Sequence, residues 1–189
     1  MACLHDVVTL HVNFEVDQDS PMLAWYMTPA IDYDGPYTGA VEFYAGEQVE
    51  LRVAGSGHPD RFKSFQILDC CLLTVPQVVY RKPGAVTRYA QPSPFVQSVG
   101  ASFVFSNDFA LADGINNGIR TVSQRWKHTL DVSSSVGRWD MSLVLTVKIV
   151  RSVEDSTEIR VFRFDPETQV GNGTRPRIAG LTLEEENLV

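Results

Sequence analysis

Cysteine is scarce in this chain: three among 189 residues, with Cys70 and Cys71 adjacent. A small, odd set does not make the disulfide framework of a secreted scaffold, so a reducing, cytoplasmic location is the expectation. Long apolar runs are also missing. No stretch approaches the roughly eighteen residues that a membrane helix requires. The start, Met1-Ala-Cys-Leu-His-Asp6, has neither the basic nor the apolar region of a secretory signal, so no membrane association is expected.

Positive charge is nearly absent from the first third. Residues 1–60 hold ten acids and a single base, Arg52, whereas residues 61–151 hold eleven bases and five acids. The remaining segment is acidic again, and the whole chain carries a net charge of −7. Such a field opposes binding to phosphate, which excludes nucleic acid as an expected partner. If the two charge classes stay apart on folding, opposite surfaces attract between subunits.

Catalytic signatures are wanting as well. There is no phosphate-binding loop, no G-x-S-x-G elbow and no H-E-x-x-H, and His5, His11, His58 and His128 lack metal-ligand spacing. Gly55-Ser56-Gly57-His58-Pro59-Asp60 brings Ser, His and Asp together in sequence, but neighbours on one loop rarely present triad geometry. The flanking glycines and Pro59 read as a turn instead. Adjacent cysteines in a strand face opposite ways, and neither has an evident His partner, so buried small hydrophobe is the better reading for at least one. The expectation is a protein that is not an enzyme.

What the chain does have is alternation. Trp139, Met141, Leu143, Leu145, Val147 and Ile149 occupy every second position, as do Val8, Leu10, Val12, Phe14 and Val16. Successive side chains of a strand point to opposite faces, so each series is the buried face of a strand. Strands are expected at 6–16, 23–27, 39–45, 48–54, 64–73, 77–81, 101–106, 120–131, 138–150 and 157–164. Turn chemistry separates them at Asp34-Gly35-Pro36, Gly55-Ser56-Gly57, Lys82-Pro83-Gly84 and Asp113-Gly114. These features predict an all-β fold with little helix: one antiparallel β-sandwich of about eight to ten strands, immunoglobulin-like or jelly-roll-like. The domain spans residues 1–180, and 181–189 form a carboxy-terminal tail. Residues 82–98, with three prolines, are too long for a hairpin turn and read as a functional or crossover connection. The polar stretch 106–118 reads as a second long loop.

Two ligand chemistries suggest themselves in the loops. Asp17-x-Asp19 and Asp32-x-Asp34-Gly35 offer carboxylates to a calcium ion, with Asn107, Asp108, Asp113, Asn116 and Asn117 as further oxygen donors. The bland alternative is that Asp and Asn satisfy their own backbone in turns. Trp25, Tyr26, Tyr33 and Tyr37 lie near Asp32 and Asp34, an aromatic and acidic mixture suited to stacking a sugar ring and bonding its hydroxyls. The competing reading places Trp25 in the core and the tyrosines over the sheet. Asn172-Gly-Thr174 matches a glycosylation acceptor, which is idle without secretion.

At the carboxy-terminal end stands Phe162-Arg-Phe-Asp165-Pro166-Glu167-Thr-Gln-Val170-Gly-Asn172, with Pro176 soon after. This segment resembles the end of bacterial DP-EP proteins and of the AidA/PixA inclusion-body proteins. Gly46-Glu47-x-Val49-x-Leu51-Arg52 is similar to a feature of the latter. The resemblance implies a small cytoplasmic β-sandwich without known catalysis that self-associates, and it transfers no site residues. The leading expectation is therefore a non-enzymatic binding or self-assembly protein, a homo-oligomer whose partner is itself and which needs no cofactor. The alternative is a lectin-like carbohydrate-binding module, with or without calcium assistance, using Asp32, Asp34, Trp25, Tyr33 and Tyr37. The outer side of the Trp139–Ile149 strand, with Val144 and Val150 among polar residues, suits cover by a long loop or by a neighbouring subunit.

Overall fold

The computed structural model describes residues 7–29, 40–80, 88–98, 100–164 and 167–171, with backbone alone at 40–42, 78–80, 88, 116 and 167–171. These residues form strands β1 (Val7–Glu15), β2 (Ala24–Thr28), β3 (Ala40–Tyr44), β4 (Gln48–Gly57), β5 (Ser64–Pro76), β6 (Val78–Tyr80) and β7 (Arg88–Tyr89). They continue with β8 (Ser102–Val104), β9 (Phe109–Asn116), β10 (Ile119–Trp126), β11 (Leu130–Asp131), β12 (Gly137–Val150), β13 (Thr157–Phe164) and β14 (Glu167–Gly171). The all-β expectation holds; the strand count exceeds it.

Two six-stranded sheets dominate, both mostly antiparallel. The first has the order β2-β1-β4-β10-β9, with β11 also on β4; the second has the order β3-β14-β12-β5-β8, with β13 also on β12. Two pairings are parallel, β1 with β4 and β14 with β3. Both alternating series of the sequence are buried to the last residue and belong to one core cluster. Rings from the two sheets meet there: Phe14 of the first lies 4.7 Å from Phe162 and 5.2 Å from Phe65 of the second. On the far flank, Trp126 of β10 packs against Phe103 and Phe105 at 5.8 and 4.9 Å.

Arginines bolt the sheets together at one end. Arg160 of β13 donates to the Val16 and Gln18 carbonyls at 3.2 and 2.6 Å, just beyond β1. Arg151, at the end of β12, donates to the Val16 carbonyl at 3.0 Å and to Asp17 at 2.7 Å. At the other end, the described part of the 82–98 connection plugs the core. Phe95 packs on Phe43 at 5.6 Å, Trp139 Nε1 donates to the Gln91 carbonyl at 2.6 Å, and Thr74 Oγ1 donates to Pro92 at 2.9 Å. The described part of that connection therefore closes an end of the core.

Three expectations are corrected. Most of residues 106–118 is strand: β9 begins at Phe109 and forms a hairpin with β10, with Asn116 opposite Ile119 and the turn at Asn117-Gly118. Asn117 and Gly118 have φ of 50° and 77°, the left-handed pair that a two-residue hairpin turn with the strand's own twist demands. Asp113-Gly114 accordingly lies inside β9. Gly55-Ser56-Gly57 is likewise strand, and the turn follows it, with the Arg61 and Phe62 amides both bonded to the His58 carbonyl. Glycine serves packing here, because a Cβ at Gly57 would lie 2.4 Å from Val16 Cγ2 and one at Gly55 would lie 2.7 Å from Phe14 Cζ. Finally, 120–131 is two strands. Arg125 opposes Arg52 and Leu130 opposes Val49, five residues against three, so the chain bulges between β10 and β11.

Candidate functional site

Part of the charge segregation along the sequence is undone on folding. Acids of the first third meet bases of the middle third within the protomer: Asp17 with Arg61 at 3.2 Å and Arg151 at 2.7 Å, and Glu50 with Arg125 at 3.6 Å. An ion binding at Asp17 has to displace two guanidinium groups. Asp19 is exposed beside it, while Asp32, Tyr33, Asp34 and Tyr37 lie outside the described residues. The polar residues of 106–118 are spread along a strand that rises about 3.3 Å per residue. Asp108 pairs with Lys127 at 2.6 Å and His128 at 3.3 Å, and Asp113 pairs with Arg120. The Arg120 hydrogen bond is the main reason that the Asp113 carboxyl sits below its usual range. Glu15 does share one end of the first sheet with Gly114, but β4 and β10 intervene, about 14 Å at 4.8 Å per strand. Among the described residues no three potential ligands gather for a metal.

Trp25 is half-buried with its ring 5.9 Å from Phe164, so it serves as a wall of the core. The exposed aromatic is its neighbour Tyr26, stacked flat on His11 at 4.3 Å. His11 also bonds Thr28 Oγ1 at 2.8 Å, and burial, then the charge of Arg52, holds its imidazole below the ordinary value. Arg52 reaches Ser123 Oγ at 3.1 Å and edges an open depression of about 370 Å³ floored by Ala112, Gly114 and Thr121.

Nucleophile chemistry is adverse at the candidate residues. Burial pushes the Cys70 thiol far up, with Asp69 and Cys71 adding to it. Cys71 is raised by burial and by Asp69. Ser56 lies in β4 opposite Glu15 and Thr121, while His58 and Asp60 pair with each other at 3.4 Å in the exposed turn beyond.

The most distinctive surface is the outer side of the second sheet. Register sets Ile159 opposite Lys148, Val161 opposite Thr146, Val144 opposite Cys71, and Cys71 opposite Val104. Leu73 and Val75 extend the same face along β5. Ile159, Val161 and Val104 are 66, 56 and 63% exposed. Among the described residues its charges Asp69, Lys148 and Arg163 have no ion-pair partner. No family model, no curated protein and no solved structure matches the chain.

The sequence pointed to this face only through β12. Ile159 and Val161 escaped notice because their apolar character is set among Glu158, Arg160 and Arg163, and register alone brings them beside Val144. Of the resemblance segments, Gly46-Glu47 is visible: Gly46 takes φ 88° in the turn that crosses from the second sheet to the first. Buried Glu47 accepts from the Tyr44 amide at 2.8 Å. Asp165, Pro166 and Asn172 lie outside the described residues.

Proposed function

We propose that this protein is non-enzymatic and works by binding copies of itself: a homo-oligomer of immunoglobulin-like or jelly-roll-like β-sandwiches in a reducing, cytoplasmic compartment. The observation that carries the reading is the outer face of the second sheet, where register puts Ile159, Val161, Val144, Leu73 and Val104 on one side among polar and charged residues. Exposed apolar side chains gathered on one face and set among polar ones mark an interaction surface. A second copy suits it because the charges come in both signs: a two-fold axis through the face lets Lys148 or Arg163 of one copy meet Asp69 of the other. Isologous contacts of this kind are the commonest way for soluble chains to associate. The raised thiols support the non-catalytic part of the reading.

Sedimentation velocity over a micromolar concentration series tests the proposal. Dimers or larger species are expected, and Val161→Asp together with Val104→Asp, both at exposed positions, should shift the population toward smaller species. A wild-type protein that stays monomeric throughout overturns it.

A second reading, a glycan-binding module, is favoured by the depression beside Arg52, whose guanidinium, Thr121 and Ser123 suit an acidic sugar. Glycan arrays run with and without a calcium chelator address it, and silence under both conditions removes it.

A further inference from the structure

The hairpin strand β9, Phe109–Asn116, is the end of the first sheet, and its backbone bonds run to β10 alone among the described residues. A strand in that position offers a row of amide and carbonyl groups along its free rim, a ready template for another strand. Proteins usually guard such rims, and the other edges here are met by the chain or shorter than β9. The other eight-residue edge, β13, has its rim met at Arg163, which accepts from the Leu23 amide at 2.8 Å and donates to the Pro21 carbonyl at 2.9 Å. The β8 edge is three residues long, and the β2 and β3 edges are five each.

β9 lacks these devices. It spans eight residues, holds no proline or lysine, and carries one charge, Asp113, already neutralised by Arg120 across the hairpin. On its inward side Phe109 packs against the core, but the side chains beyond it are uncovered. Trp126 on β10 meets Phe103 and Phe105 of the second sheet's flank, but one strand further out Leu111 and Ile115, on that same side, are 67 and 64% exposed. The first sheet overhangs the second by one strand.

From this overhang we infer that β9 pairs edge to edge with β9 of a second copy, continuing the first sheet across a two-fold axis. The inference rests on the self-association reading and adds an interface distinct from the outer face of the second sheet. A strand is what covers the rim, because only a strand satisfies a row of backbone groups. The partner strand is β9 itself because antiparallel two-fold pairing brings Leu111 and Ile115 of both copies to the same side, each covering the other's exposed surface. The single carboxylate that each copy brings has its own guanidinium.

Hydrogen exchange of the full chain at several concentrations tests this, alongside sedimentation of Leu111→Lys and Ile115→Lys. Both substitutions sit at exposed positions, so folding should survive, which circular dichroism checks. Amides of β9 are expected to gain protection as concentration rises, and Leu111→Lys is expected to weaken association by roughly tenfold or more by setting a charge on the shared apolar side. Oligomers that persist unchanged in both variants, with β9 protection independent of concentration, overturn the edge and leave self-association standing. A monomeric wild type overturns both. Concentration-independent protection of β9 in a monomer means that the rim is covered by the chain's own residues, and it sinks the inference equally.

Discussion

Single residues show how little local chemistry reveals about their roles. Cys70 and Cys71 are neighbours, yet the strand turns one into the core and the other toward the outer face. With both thiols raised, the thiolate that reacts is rare at neutral pH. A maleimide or disulfide reagent at pH 7 should leave Cys70 unmodified in the folded protein and label Cys71 slowly; rapid labelling of Cys70 would contradict this burial. His11 is the other informative residue. Its folded value lies below the ordinary 6.5, so below that pH the unfolded chain binds more protons than the native one. Stability is then fully present above about pH 6.5 and falls as the pH drops toward the folded value. Denaturant unfolding between pH 7 and pH 5 should show a smaller loss for His11→Gln than for the wild type. Equal losses would mean that Arg52 and burial do not act on the imidazole as the geometry indicates. Legibility in sequence is uneven at this scale: Trp126 stands between Arg125 and Lys127, and only its packing against Phe103 and Phe105 assigns it to the core.

Among the elements, strands with one wholly apolar face were read correctly. β1 and β12 carry period-two series that admit one interpretation. Errors gathered where a strand has no buried face. β9 reads Phe-Ala-Leu-Ala-Asp-Gly-Ile-Asn, and beyond Phe109, which packs against the core, its large apolar residues Leu111 and Ile115 stay exposed. Asn117-Gly118 was nonetheless a hairpin signal of the strongest local kind, hidden by the acids and amides around it. Elements are also where inter-sheet bolts act. Arg160 lies 4.8 Å over the Phe162 ring and donates to two carbonyls that β1 leaves behind as it exits. Arg160→Met keeps most of the stem and removes both donors. Chemical denaturation should show a loss of about 1–3 kcal/mol, the range expected when charged hydrogen bonds to buried carbonyls are removed. An unchanged midpoint would show that water serves those carbonyls equally well.

Two proposed interfaces on one molecule have a consequence that neither has alone. A single isologous contact closes at a dimer, whereas two different ones extend past it, to a closed tetramer or to an open chain. Wild-type protein should therefore populate species larger than dimers as concentration rises. Leu111→Lys alone, or Val161→Asp alone, should halt growth at dimers, and the combination should give monomers. Light scattering coupled to size-exclusion chromatography reads all four proteins, and dimers persisting in the combined variant would reveal a third contact. By itself the sequence determined the fold class, because strict alternation along β1 and β12 leaves an extended strand no second way to bury its apolar side chains. The tertiary structure decided which acids meet which arginines, which strand overhangs, and which apolar side chains share a face. Those properties depend on register and strand order, which join residues as distant as Asp17 and Arg151, and no local pattern in a chain carries that information.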